Sequence, residues 1–470
     1  MSQLTKADLY PATSRGALAS LALAAMLSSL GASSPHVALP TLAAVFGASF
    51  QQVQWVVLAY LLVVTSVIVS AGRLGDLVGR RRLLLAGMGL FTLASALCAL
   101  APTVALLLAA RVAQGLGAAA MMALSMAFVG ETVPQAARGR ALGLLGSMSA
   151  IGTALGPSLG GALLAWFGWP AIFGMHVPLE LAACLLAYRF LPPDRARSAV
   201  RPRFDHAGMV LLALALAAYA LAMTLGRGSV GALNFGLLGC AAGVLYLFVR
   251  TEHAIAAPLV PVAMLADRTL GAGLAANAMV STVMMATLVV GPFYLARGLG
   301  LGPVQVGLVL AIGPVAAALC GVPAGLLSDR FGPRAVTRAG LLLVGGGALA
   351  LALLPLRVGL PGYIAPLVGM TVGYALFQTA NNTAVMARAA AGEGGVVSGM
   401  LNLARNLGLV TGASAMGGVF AYGAGTWNMV AARPEAVAAG TRLAFGAATI
   451  IIVAALGLTW AGVRRARCAA

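Results

Sequence analysis

Fourteen apolar runs, most about twenty residues or longer and joined by short polar connections, leave this chain few ways to fold. They fall at roughly 16–39, 53–72, 83–101, 103–130, 140–165, 170–191, 207–226, 230–250, 270–296, 303–327, 335–355, 361–386, 395–421 and 441–463. About twenty apolar residues in a helix span the hydrocarbon of a bilayer. Hydrocarbon offers backbone N–H and C=O groups no partners, so such runs must be helices. Only 9% of the 470 residues are charged, against about 25% in soluble domains. The expected class is all-α and membrane-embedded, with the lipid bilayer as solvent.

The net charge of +18 would suit nucleic acid if the cations were clustered in a soluble domain. They are not. With the N-terminus inside, all but seven of the 29 Lys/Arg lie in cytoplasmic segments. Five lie outside: Arg227, Arg297, Arg357, Arg433 and Arg442. The remaining two, Arg111 and Arg405, fall within helices. This is the positive-inside pattern, which places both termini in the cytoplasm and excludes a nucleic-acid partner. A cleaved signal peptide is the rival reading of the first run, because small residues follow near Ala32. The five cysteines and four histidines show no metal-ligand spacing, so no metal or other cofactor is expected.

Two connections carry the same pattern, G-x-L-x-D-x-x-G-x-R. Gly72, Leu74, Asp76, Gly79 and Arg81 match Gly325, Leu327, Asp329, Gly332 and Arg334 at an offset of 253 residues. Arg80 and Arg82 make the first copy denser in cations. Glycines allow a tight turn there, and Asp76 can cap a helix N-terminus or pair with a neighbouring cation. A second match places Gly143, Gly152, Gly156 and Gly161 against Gly399, Gly408, Gly412 and Gly417, each at an offset of 256. The chain is therefore read as a duplication, as in many secondary transporters. Residues 1–15 form a cytoplasmic N-terminus and 16–191 a six-helix bundle. Residues 192–206 form a proline-broken cytoplasmic linker, followed by two extra helices at 207–250. Residues 251–463 form the second six-helix bundle, and 464–470 a cytoplasmic tail.

Helix five reads G-T-A-L-G-P-S-L-G-G from Gly152 through Gly156, Pro157 and Gly160 to Gly161. Bland helix packing explains such a glycine face. The whole pattern, together with the loop pair, resembles the antiporter motif and signature loop of the major facilitator superfamily. Arg111-Val-Ala-Gln114-Gly115 is similar to that family's R-x-x-Q-G, Gln54 to Tyr60 to its Q-W-x-x-x-A-Y, and Val37 to Pro40 to its V-A-L-P. With the segment Phe377 to Arg405, these cover essentially the whole chain and resemble the fourteen-helix drug:proton branch. The resemblance implies a bacterial inner-membrane transporter working by rocking-bundle alternating access. Its cargo would be small amphipathic compounds, drugs or toxins, exported in exchange for protons, with the proton gradient as the energy source and the protein acting as a monomer. A dedicated exporter of one endogenous metabolite or antibiotic fits equally well. A lipid-modifying enzyme would need a catalytic cluster at a membrane surface, and none is present. A channel would need a charged ring or filter repeat.

Two departures from the family matter. Where the family has an aspartate in helix one, this chain has Gly31. Where it has N-x-P-x-G in helix six, this chain has His176-Val-Pro-Leu-Glu180. An arginine in hydrocarbon must face protein or water, so Arg111 either joins a proton pathway, as in the family, or snorkels to the outer surface. Among the acidic residues only Glu180 lies near mid-span. His176 shares its helical face and the two can share a proton, or Glu180 is only a buried hydrogen-bond donor. Glu131, at the cytoplasmic end of helix four, is the further proton candidate. Gln114, Gln378, Asn381, Asn382, Asn402, Arg405 and Asn406 either line the substrate cavity or serve as structural bonds between helices.

Overall fold

The computed structural model describes residues 12–132, 138–194, 206–224, 231–255, 267–387, 394–429 and 431–468. Most of the linker, 195–205, lies outside them. The helices are α1 (Ala12–Ser33), α2 (Phe50–Val78), α3 (Arg80–Ala99), α4 (Val104–Thr132), α5 (Arg138–Phe167), α6 (His176–Phe190) and α7 (His206–Thr224). They continue with α8 (Ala232–Ala254), α9 (Arg268–Phe293), α10 (Pro303–Phe331), α11 (Pro333–Ala352), α12 (Gly359–Met386), α13 (Gly394–Thr411) and α14 (Pro434–Cys468). Among the described residues thirteen stretches are long and apolar enough to cross a membrane, and α5 carries the shorter apolar stretch Ile151–Phe167. The fold is therefore the fourteen-helix arrangement expected. Residues 464–468, expected in a tail, continue α14.

The two halves pack by one plan. In the first, α1 lies against α5 and α6, α2 against α4, and α3 against α4 and α6. In the second, α9 lies against α13 and α14, α10 against α12, and α11 against α12 and α14. Glycines set these crossings, because only a residue without Cβ lets helix backbones touch. A Cβ on Gly152 would strike the Met26 carbonyl, and one on Gly408 the Ala278 carbonyl. A Cβ on Gly117 would lie 2.6 Å from the Gly87 carbonyl oxygen, and one on Gly340 2.6 Å from that of Gly373.

The halves meet through α5 with α10 and α2 with α13. A Cβ on Gly161 would lie 3.0 Å from the Gly307 Cα, and one on Gly307 3.0 Å from the Gly161 Cα. Gly417, the repeat of Gly161, lies against Gln54, whose Nε2 donates to the Ala413 carbonyl at 2.8 Å. Close by, Phe50 packs edge-on against Phe293 and Phe420, with centroids 4.9 and 5.4 Å away, and its N–H donates to the Trp427 carbonyl at 3.0 Å. These contacts sit at the end where α2 and α10 begin, which is the outer end by the charge bias.

The extra pair, α7 and α8, packs on itself. α7 reaches the body, touching α2 and the short π-helical turn Gly412–Met416 that follows α13. Trp55 Nε1 donates to Thr224 Oγ1 at 3.1 Å across this contact.

The repeated G-x-L-x-D loop is mostly helix. α2 runs through Asp76 to Val78, and the chain breaks at one residue, Gly79, with φ 113°. Gly332 makes the matching break between α10 and α11 with φ 82°. Asp76 therefore precedes the break and is not the N-cap of α3; its side chain lies outside the described residues. The cap comes from Asp194, 113 residues downstream. Its carboxylate accepts from the backbone N–H of Arg81 at 2.7 Å and of Arg82 at 3.3 Å. Arg81 then donates to the Tyr188 carbonyl at 2.6 Å. Asp329 and Arg334 in the second copy are exposed.

Two substitutions separate strain from crowding here. Both breaks need positive φ, but a Cβ on Gly79 would also lie 2.7 Å from Asp194 Cγ, whereas one on Gly332 meets nothing within 4 Å. Gly79→Ala should lower the thermal midpoint of the purified protein more than Gly332→Ala. Asp194→Ala should cost about 1 kcal/mol, the usual value of an N-cap. Equal shifts for the two glycine variants would contradict the Asp194 clip.

Candidate functional site: a buried charge cluster behind a central cavity

Arg111, on α4, is completely buried. It faces protein and does not snorkel. Its Nε donates to the Val56 carbonyl on α2 at 2.7 Å, and one terminal nitrogen donates to the Gly31 carbonyl on α1 at 3.0 Å. That nitrogen also donates to Gln114 Oε1 at 2.6 Å. The guanidinium lies over the Tyr60 ring at 4.4 Å, and its second terminal nitrogen is buried without a partner. Gln114 Nε2 continues the chain to Ser95 Oγ on α3 at 2.8 Å. Gln114 therefore belongs to this cluster and not to the cavity. It follows Arg111 by three residues, one helical turn, so the two share a face.

α6 presents His176, Glu180, Ala183 and Ala187 inward, a stripe at helical spacing, and Leu181, Leu185 and Tyr188 outward. Both nitrogens of His176 and both oxygens of Glu180 are buried without a hydrogen-bond partner. Burying polar groups in this state is costly, so each calls for an explanation. The His176 ring lies edge-on to Phe91, with centroids 5.7 Å apart. A Cβ on Gly31 would meet Phe91 Cζ at 2.8 Å and His176 Nε2 at 3.6 Å. His176 and Phe91 thus occupy the space beside α1 that an acid at position 31 would use. Glu131 is twenty residues beyond Arg111 on the same helix (131 − 111), about 30 Å along its axis. It does not join the cluster, and its side chain lies outside the described residues.

Between the halves lies a cavity of about 360 Å³. Helix α1 supplies Ser28, Ser29 and Ser33 before giving way to a buried 3-10 turn, Ser34–Ala38, which carries His36. Tyr60 joins cavity and cluster: it lines the first and stacks on Arg111 in the second, while its hydroxyl donates to the Ser28 carbonyl at 2.8 Å. The second half contributes Met284, Met285, Tyr374, Gln378, Arg405 and Asn406. Three of the expected cavity residues are therefore present: Gln378, Arg405 and Asn406. Asn381 instead donates to the Gly273 carbonyl on α9 at 3.1 Å, a structural bond between helices. Asn382 and Asn402 do not line the cavity. The sequence reading missed His36 and the serines; the run S-S-L-G-A-S-S-P-H at 28–36 was the available signal.

The glycines of helix five divide the work. Gly152, Gly156 and Gly160 face α1 and its 3-10 extension, and Gly161 faces α10. They are packing surfaces that bring α1 and its serines against α5, where Ser29 and Ser149 share a hydrogen bond of 2.5 Å.

The Major Facilitator Superfamily model matches residues 21–413. The chain belongs to this superfamily. Among similar proteins is the riboflavin transporter RibZ of Clostridioides difficile, 30% identical, with 85% of this chain and 87% of the relative covered. Another is the multidrug resistance protein Stp of Mycobacterium tuberculosis, 33% identical, with 82% and 72% covered. Multidrug efflux relatives are what the drug:proton antiporter branch would show. A bacterial homolog of the human lysosomal transporter Spinster, solved in an inward-facing, unoccupied conformation, superposes with a TM-score of 0.72 over 96% of this chain and 97% of that one. At 16% identity it supports the fold alone. The protein is a multi-pass membrane transporter.

Arg111→Lys tests the cluster. The shorter, unforked ammonium cannot reach Val56, Gly31 and Gln114 together. Each charged hydrogen bond lost costs about 1.5–3 kcal/mol. The variant should melt at clearly lower temperature in detergent, and Gln114→Ala should fall between it and wild type. A wild-type midpoint for Arg111→Lys would contradict this network.

Proposed function

We propose that the protein exports small amphipathic compounds, drugs or toxins, across a bacterial inner membrane in exchange for protons, by alternating access and as a secondary active transporter without cofactors. The observation that carries the reading is the burial of Arg111 against Tyr60, a cavity-wall residue, in the half where His176, beside Gly31, and Glu180 are also buried. A carrier of this kind needs a group that gains and loses a proton as the cavity opens to each side in turn. His176 and Glu180 are the titratable groups so placed, beside α1, where Gly31 leaves no acid. Tyr60 is the contact through which cargo entry would be felt at Arg111. The efflux relative supports drug-like cargo. A dedicated exporter of one metabolite is the second reading, favoured by the riboflavin transporter that matches over most of its length.

A susceptibility panel on cells lacking and overproducing the protein supplies the test compound. In inverted vesicles, Glu180→Gln should abolish uptake of that compound driven by a pH gradient while sparing exchange without one. Undiminished gradient-driven uptake would remove Glu180 from the coupling role.

The repeated breaks at Gly79 and Gly332 are the cytoplasmic gate in this reading, with Asp76, Arg80, Arg81, Asp329 and Arg334 around them. Asp76→Asn should slow transport severalfold and leave compound affinity unchanged. A lost affinity with normal turnover would place Asp76 in binding and not in gating.

A further inference from the structure

The cavity is electrically one-sided. Among the described residues that line it, the only formal charge is Arg405, His36 is the one other basic group, and none is a carboxylate. Arg405 is half-buried on α13, with Nε enclosed and without a partner. Gln378 comes to the same cavity from α12, its Oε1 also buried without a partner, and Tyr374 precedes it by one turn. Asn406 is next to Arg405 in the chain.

The opposite wall is already committed. Ser28 Oγ donates to the Ala25 carbonyl, Ser33 Oγ to the carbonyls of Leu30 and Gly152, Thr153 Oγ1 to the Ser149 carbonyl, and Ser29 bonds Ser149. All but one of these hydroxyls have spent their protons, since the Ser29–Ser149 bond uses one proton of two. Between the two walls stand Met122, Met284, Met285, Leu288 and Leu310, an apolar and deformable surface.

We infer that the cavity selects amphipathic monoanions, whose carboxylate, phenolate or sulfonate oxygens are received by Arg405 with Gln378 and Asn406 while the apolar body lies on the methionines. A guanidinium presents a planar fork matched to an oxyanion, and a partly enclosed arginine without a partner is stabilised by the charge the cargo brings. The same charge repels cations, which meet no carboxylate in compensation. Selection therefore comes from repulsion as much as attraction. The inference rests on the export reading for its direction only; binding needs neither a gradient nor coupling.

The test uses the full chain in nanodiscs of phosphatidylcholine and three probes with one fluorescent body: dansylglycine (anionic), dansylamide (neutral) and dansylcadaverine (cationic). Wild type should bind dansylglycine at least about tenfold more tightly than dansylcadaverine, the scale of one charged hydrogen bond. Arg405→Gln should erase that preference, and Arg405→Lys should restore part of it. Dansylamide should bind all three proteins alike, which shows that the cavity is intact. Equal or tighter binding of dansylcadaverine by wild type, or unchanged dansylglycine affinity in Arg405→Gln, overturns the inference. Loss of gradient-driven transport with this preference preserved would count against proton coupling and leave the anion site standing.

Discussion

A guanidinium in hydrocarbon is tolerated only where protein supplies what water would have supplied. Arg111 imposes that demand at the centre of the first half. Its partners are main-chain carbonyls at Val56 and Gly31, so α1, α2 and α4 are held by one side chain. That clamp fixes the rest of the site. Tyr60 is held flat against the guanidinium and forms the cavity wall, and Gln114 is turned away from the cavity towards Ser95. α6 closes the back with His176 and Glu180. The glycines of α5 then let α1 lie close enough for its serines to reach the cavity.

The duplication is kept in the packing and lost in the chemistry. Most of the glycine contacts recur between the halves, Gly152 with Gly408 and the Gly87–Gly117 pair with the Gly340–Gly373 pair, so both halves have the same crossings. Around α4 the first half buries an arginine network. In the equivalent region of the second half, Tyr363 is buried on α12 and stacks on Tyr294, with ring centroids 5.5 Å apart. The arginine network and Arg405 thus belong to different halves, the first behind Tyr60 and the second on α13. Small residues are constrained by backbone geometry, which both halves share. Charged residues are constrained by partners, which they need not share.

Much of this was legible in the sequence, and the limits have physical causes. Membrane spans declare themselves by length and apolarity, and two motif matches at the similar offsets of 253 and 256 revealed the repeat. The inward face of α6 followed from the spacing of His176 and Glu180. The cap on α3 was not legible, because Asp194 is brought to Arg81 only by the folding of α6, and Asp76 lay closer in sequence. Gln114 was misplaced although its spacing from Arg111 gave the face. The amides of α12 and α13 could not be sorted, since bonding to a carbonyl on α9 and facing a cavity require the same kind of side chain. Only the rotation of each helix separates Asn381 from Gln378.

The manner in which α7 and α8 attach has a topological consequence. By the charge bias they leave and return to the same face of the membrane, and α8 packs chiefly on α7. A pair added in this way shifts no interface within either half and preserves parity: every helix from α9 onward keeps the direction it would have had without them. One inserted helix would have turned the second half upside down, with Arg334 and Arg338 facing the wrong side. Two helices are the smallest addition to this architecture that leaves its orientation code readable.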